Sequence, residues 1–128
     1  MYAWIGKSII FIGGVHSVFG FVVFRSTIAE LASEGVINTV NGQPEREIAF
    51  WFLFFGFMAI IAGLLTDWCE RRFRLLPGFL GWSLLGMTVA CVTIMPISGA
   101  WLFFVPAIGA ILRTRKSRAP GDGTAMST

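Results

Sequence analysis

Four long apolar segments constrain the fold of this chain more than any other feature of its 128 residues. They run from Trp4 to Phe24, from Ile48 to Thr66, from Leu75 to Ile94 and from Ile97 to Leu112. A helix needs about 20 apolar residues to cross the hydrocarbon core of a bilayer; three segments meet that length and the last is shorter. The sequence therefore predicts an all-α fold, a bundle of four transmembrane helices.

The composition excludes an ordinary water-soluble domain. Hydrophobic residues make up 55% of the chain and charged residues 13%, with a mean hydropathy of +0.76, whereas soluble domains carry roughly 25% charged residues. We expect one transmembrane domain over residues 1–113 and a disordered cytoplasmic tail over residues 114–128, which has no periodicity. The first apolar segment is longer than the apolar region of a signal peptide, so we expect it to be retained.

The basic residues follow the positive-inside rule of membrane proteins. The net charge of +3 could indicate a nucleic-acid partner, but the charges flank the apolar segments, and no such partner is expected. With four spans, eight of the ten basic residues fall on one side: Lys7, Arg71, Arg72, Arg74, Arg113, Arg115, Lys116 and Arg118. Only Arg25 and Arg46 fall on the other. We therefore predict a multi-pass protein of the cell (inner) membrane with cytoplasmic N- and C-termini.

The segment between the first two spans predicts a short amphipathic helix on the extracytoplasmic surface. Residues 27–30 have the form of a capping box that begins this helix, and Gly35 is typical of a helix end. Residues 36–42 end in Asn41-Gly42, which indicates a turn or a small hairpin. Pro44 then leads into the second span.

Small residues mark the predicted contacts between the membrane helices. No hydrophobic force drives helices together inside a bilayer, so close packing depends on residues that let backbones approach. We therefore place Phe50, Phe54 and Phe57 towards lipid, with an aromatic pocket for an apolar ligand as the alternative. The predicted packing residues are Gly13, Gly20, Gly56, Ala59, Gly63, Gly78 and Gly81. Pro106 lies in the middle of the fourth segment, where we expect it to kink the helix.

His16 is the main candidate for a functional residue. It is the only histidine in the chain and lies near the middle of the first span, where an ionisable side chain is costly and suggests function. Thr88, at similar depth in the third span, is its predicted partner, and the two residues are the candidate ligand-binding pair. The alternatives are a neutral histidine that forms a structural hydrogen bond between helices and a catalytic acid or base. One histidine and two distant cysteines cannot form a metal site, and no cofactor is expected.

Four short motifs extend this interpretation. They are Gly14-Val15-His16, Phe50-Trp51-Phe52, Leu80-Gly81-Trp82 and the heptapeptide of residues 95–101, Met-Pro-Ile-Ser-Gly-Ala-Trp. Together, over roughly residues 2–113, they resemble a family of small uncharacterised four-helix bacterial integral membrane proteins, a domain of unknown function. The resemblance implies the fold and a place in the cell membrane, and it assigns no activity and no site residue.

Three functions remain open on the sequence alone. The favoured one is a lipophile-binding or accessory membrane protein, because the chain has small-residue helix faces and lacks a recognisable catalytic motif. Its expected partners are membrane lipids, a lipophilic small molecule, a partner membrane helix or a second copy of the chain. The alternatives are a small proton-coupled exporter of lipophilic compounds and a membrane-embedded isomerase-type enzyme with His16 as its acid and base.

Overall fold

The computed structural model describes residues 2–118, and this part of the chain is helical without any strand. The helices are α1 (Ile5–Val23), α2 (Arg25–Glu34), α3 (Pro44–Phe73), α4 (Gly78–Ile94) and α5 (Phe104–Arg118), with a 3₁₀ helix at Gly99–Phe103 before α5. The prediction of an all-α fold is confirmed. Two helices, α1 and α3, are long and apolar enough to cross a membrane. The chain divides into two compact units, an N-terminal unit (Met1–Trp68) and a C-terminal unit (Cys69–Thr128).

In the N-terminal unit, α1 and α3 pack antiparallel through a ladder of small residues. A Cβ atom at Gly13 would lie 3.0 Å from the backbone nitrogen of Ile60, and one at Gly63 would lie 2.7 Å from the backbone nitrogen of Ile10. At such short distances there is no room for a side chain, so both helices require glycine at the contact. Gly20 faces the side chains of Leu53 and Phe52, so α1 and α3 lie side by side along most of α1.

The outward surface of α3 is apolar. Only 17% of its most apolar stretch is buried, although the core helix of a water-soluble protein would be mostly buried. Phe50, Phe54 and Phe57 expose 45%, 43% and 44% of their surfaces. Large apolar side chains exposed in such a row need a partner other than water.

The connection between α1 and α3 differs from its sequence prediction at one end. The predicted capping box at Thr27 is wrong, because α2 begins at Arg25 directly after Phe24, and Thr27 lies inside the helix. Only a single residue separates α1 from α2, so no extended N-cap can form. The predicted end is confirmed, since Gly35 terminates α2 with a positive φ of 92°. Turns follow, and α3 starts at Pro44.

In the C-terminal unit, α4 and α5 pack side by side at Gly81, where a Cβ atom would lie 2.8 Å from the backbone nitrogen of Ile111.

The predicted kink at Pro106 is wrong. The 3₁₀ helix ends at Phe103, and Pro106 then lies in the first turn of α5, where a missing N–H costs no helical hydrogen bond. The helix continues to Arg118, past the predicted domain boundary at residue 113. Residues 119–128 of the predicted tail lie outside the described residues.

Candidate functional site

His16 lies at the contact between α1 and α3 in the N-terminal unit. Its Nε2 is 3.0 Å from the backbone carbonyl oxygen of Phe52. The imidazole also stacks on the Phe52 ring with the ring centroids 3.9 Å apart. The side chain is half-buried, so it is held by α3 on one side and remains accessible on another.

The hydrogen bond assigns the two ring nitrogens of His16 different roles. A carbonyl oxygen can only accept, so Nε2 donates, and in the neutral ring Nδ1 is left as an acceptor. Nδ1 has no hydrogen-bond partner among residues 2–118. The ring is therefore fixed by two contacts with Phe52 while one acceptor nitrogen is available to another molecule.

Aromatic rings surround this position. Phe55 meets the imidazole edge to face at 5.2 Å between centroids. The Phe52 ring in turn contacts Phe19 at 6.2 Å and Phe24 at 5.4 Å. These five side chains, which we call the His16 cluster, place one polar ring in an otherwise apolar environment, and such an environment strengthens any hydrogen bond that the ring makes.

An open apolar groove, lined by exposed side chains of α1 alone, runs along that helix and reaches the His16 cluster at Phe19. Its volume is about 580 Å³. The lining residues are Phe11, Gly14, Val15, Val18, Phe19 and Val22. A Cβ atom at Gly14 would meet nothing within 4 Å, so the space above Gly14 is free for a bound molecule. Phe19 belongs both to the groove and to the cluster.

Thr88, the other candidate ligand-binding residue, belongs to the C-terminal unit. Its hydroxyl donates to the carbonyl oxygen of Leu84 at 2.6 Å, one turn earlier in α4, and the side chain is buried. A back-bonded hydroxyl is satisfied within its own helix. The pairing of His16 with Thr88 stays a prediction, as does a catalytic role for His16.

The predicted packing residues occupy different environments. Gly13, Gly20, Gly56 and Gly63 lie in the α1–α3 contact, and Gly81 lies in the α4–α5 contact. Ala59 is buried, and Gly78 is half-buried. Ser17, which the sequence analysis missed, also belongs to the ladder: its hydroxyl donates to the Gly13 carbonyl at 2.8 Å and leaves no room for a Cβ atom at Gly56.

Ion pairs at two arginines, Arg46 and Arg113, were also missed. In the N-terminal unit, the buried Arg46 side chain donates to Glu34 at 2.8 Å and to the carbonyl oxygen of Thr39 at 3.2 Å, and it lies 3.7 Å from Glu30. It thereby attaches α2 to the start of α3. The spacing of Glu30 and Glu34, one helical turn apart, could have indicated a shared cation.

In the C-terminal unit, Arg113 of α5 donates to Glu70 in the last turn of α3. The Glu70 side chain is 0% exposed and that of Arg113 is 11% exposed. A sequence signal for Glu70 existed, because it follows Gly56 and Gly63 at heptad spacing and so lies on their face of the helix. Its partner, 43 residues away, had no such signal.

Within residues 2–118, no group of three or more His, Cys, Asp or Glu side chains could hold a metal ion. The chain matches a family of unknown function, DUF6463, over residues 1–117. The chain belongs to this family. No curated protein and no solved structure matches it.

Membership of the family confirms the prediction of a domain of unknown function and assigns no role to any residue. The match includes both compact units, so the His16 cluster and the Glu70–Arg113 pair both lie within the family's region.

Proposed function

We propose that the chain is an integral membrane protein that crosses the cell membrane four times and binds a lipophilic molecule at the His16 cluster. The lengths of α1 and α3 support two of the crossings. The other two are assigned to α4, an apolar helix of 17 residues, and to the 3₁₀ helix together with α5. The exposed phenylalanine row on α3 is consistent with lipid as its partner.

The contacts within each unit favour both termini in the cytoplasm. In the N-terminal unit, the start of α1 contacts α3 near Asp67, close to the basic end of that helix. In the C-terminal unit, the Glu70–Arg113 pair joins the last turn of α3 to the C-terminal half of α5. In this unit, the basic residues of both helix ends therefore lie together, as the positive-inside rule requires for a cytoplasmic end.

The ligand proposal depends on one observation, the acceptor nitrogen that the Phe52 hydrogen bond leaves on His16. A lipophilic molecule with one hydroxyl or N–H group can donate to this nitrogen. Its apolar part can lie against Phe19 and the groove along α1. Binding sites of this kind combine mostly apolar walls with a few placed polar groups.

Mass spectrometry of molecules retained by the gently purified protein tests this function. His16→Gln keeps an N–H that can donate to the Phe52 carbonyl, but its amide oxygen, which can also accept, does not occupy the position of the ring Nδ1. We expect His16→Gln to keep the thermal unfolding midpoint of the wild type and to retain less of the molecule. His16→Leu should lose both, since it leaves no donor for the carbonyl.

Thr93→Val is the matched control. It also removes a side-chain hydrogen bond to a helix carbonyl, but it lies in α4, outside the cluster. This variant should retain the molecule at the wild-type level. Retention of the same molecule by folded His16→Leu at wild-type occupancy would rule out Nδ1 as the ligand contact, because leucine has no acceptor. Absence of the protein from carbonate-washed membranes would rule out the membrane assignment.

A further inference from the structure

A second cleft lies in the C-terminal unit, where the start of α4 passes the end of α5. Its volume is about 480 Å³. The lining residues are Gly78, Phe79, Trp82, Ile111, Thr114 and Arg115. One wall is thus apolar and aromatic, and the other carries a hydroxyl and a guanidinium group. A cleft with one apolar and one cationic wall fits an amphiphile with an anionic head.

Arg115 supplies the positive charge of this cleft. Its guanidinium carbon lies 5.9 Å from the centre of the Trp82 ring, within the range of a cation–π contact. The indole face orients the guanidinium without consuming its N–H donors, which match a phosphate bidentately. The Thr114 hydroxyl donates to the Ala110 carbonyl at 3.0 Å, so its oxygen can only accept from a bound headgroup.

The surrounding charge favours an anion. In residues 69–118, Glu70 is the one carboxylate, and its charge is balanced by Arg113 inside the unit. The Glu70–Arg113 pair also brings the end of α3 to the end of α5, so Arg72 and Lys116, both exposed, lie at the same end as the cleft. The field at this end is therefore positive.

We propose that this cleft binds one anionic phospholipid, with its phosphate on Arg115 and the start of an acyl chain on Phe79, Trp82 and Ile111. A free phosphate would use the cationic wall alone, whereas a phospholipid uses both walls. A headgroup with hydroxyls, as in phosphatidylglycerol, can also donate to the Thr114 oxygen. The inference rests on the proposed membrane location, and it is independent of the ligand proposed for His16.

Native mass spectrometry of the full chain in detergent, titrated with phosphatidylglycerol or phosphatidylcholine of equal chain length, tests the site. We expect the wild type to bind phosphatidylglycerol at least about tenfold more tightly, as for a charge-assisted contact. Arg115→Gln should reduce the preference to about twofold or less. Arg72→Gln, the matched control with the same charge change outside the cleft, should weaken binding by no more than about twofold, because solvent and salt screen an exposed charge.

Trp82→Phe and Trp82→Leu separate the aromatic contribution. The phenylalanine variant keeps an aromatic face for Arg115 and should retain most of the preference, while the leucine variant should lose part of it. Equal losses for Arg115→Gln and Arg72→Gln would overturn the site, because they would indicate unspecific attraction. Displacement of the lipid by inorganic phosphate at matched concentration would also overturn it. Carbonate extraction of the same cells tests the membrane location separately.

Discussion

Glu70 and Arg113 form an ion pair inside the C-terminal unit, between the last turn of α3 and the C-terminal half of α5. The carboxylate is fully buried and the guanidinium nearly so. Two charges removed from water are stable only when each compensates the other. The pair therefore holds two basic helix ends together and neutralises the single acid among them.

Removal of the Glu70 carboxylate should destabilise the protein. We expect Glu70→Ala to lower the free energy of unfolding by about 3 kcal/mol, because it removes the carboxylate that pairs with the buried Arg113 charge. Reversible unfolding in mixed detergent micelles measures this value. Glu45→Ala, an exposed acid in the first turn of α3, is the control and should cost less than about 1 kcal/mol. A double variant, Glu70→Ala with Arg113→Ala, that is less stable than Glu70→Ala would contradict the role of the pair.

A methyl group at Gly63 should separate α1 from α3. A Cβ atom there lies 2.7 Å from the backbone nitrogen of Ile10, and backbone cannot move aside as a flexible side chain can. We expect Gly63→Ala to cost about 2 kcal/mol. Gly14→Ala is the matched control in α1, where nothing lies within 4 Å. Gly14→Ala should leave the thermal unfolding midpoint unchanged or raise it. A larger loss of stability in Gly14→Ala than in Gly63→Ala would contradict the assignment of the helix faces.

Loss of the Arg46 contacts should release α2. Arg46→Gln removes the charge that contacts Glu30 and Glu34, so we expect faster amide hydrogen exchange across Arg25–Glu34. Arg25→Gln, an exposed position at the start of the same helix, is the control and should exchange at the wild-type rate. Unchanged exchange in Arg46→Gln would mean that α2 is held by other contacts.

Cysteine labelling can test the four-span topology. In a variant with Cys69 and Cys91 replaced by serine, single cysteines are introduced at Gly42 and at Gly121. We expect an impermeant reagent to label position 42 in intact cells and position 121 only after lysis, because eight of the ten basic residues then lie in the cytoplasm. Labelling of both positions from the same side of intact cells would contradict this topology.

The helices could be predicted from the sequence because their signals are local. Apolar runs, Gly35 at the end of α2 and Pro44 at the start of α3 each act through a few neighbouring residues. The same local patterns misled at Thr27 and Pro106. In both cases one helix ends shortly before the expected point, at Val23 and at Phe103, so Thr27 and Pro106 lie inside the next helix.

The helical class and the apolar surface follow from the amino-acid sequence alone, because both depend on hydrophobicity and its spacing. The atoms that His16 contacts, the acids that Arg46 contacts and the pairing of Glu70 with Arg113 depend on the tertiary structure. Those partners lie up to 43 residues apart. Periodicity can place a side chain on a helix face, but its partner depends on which helices pack together and in which register.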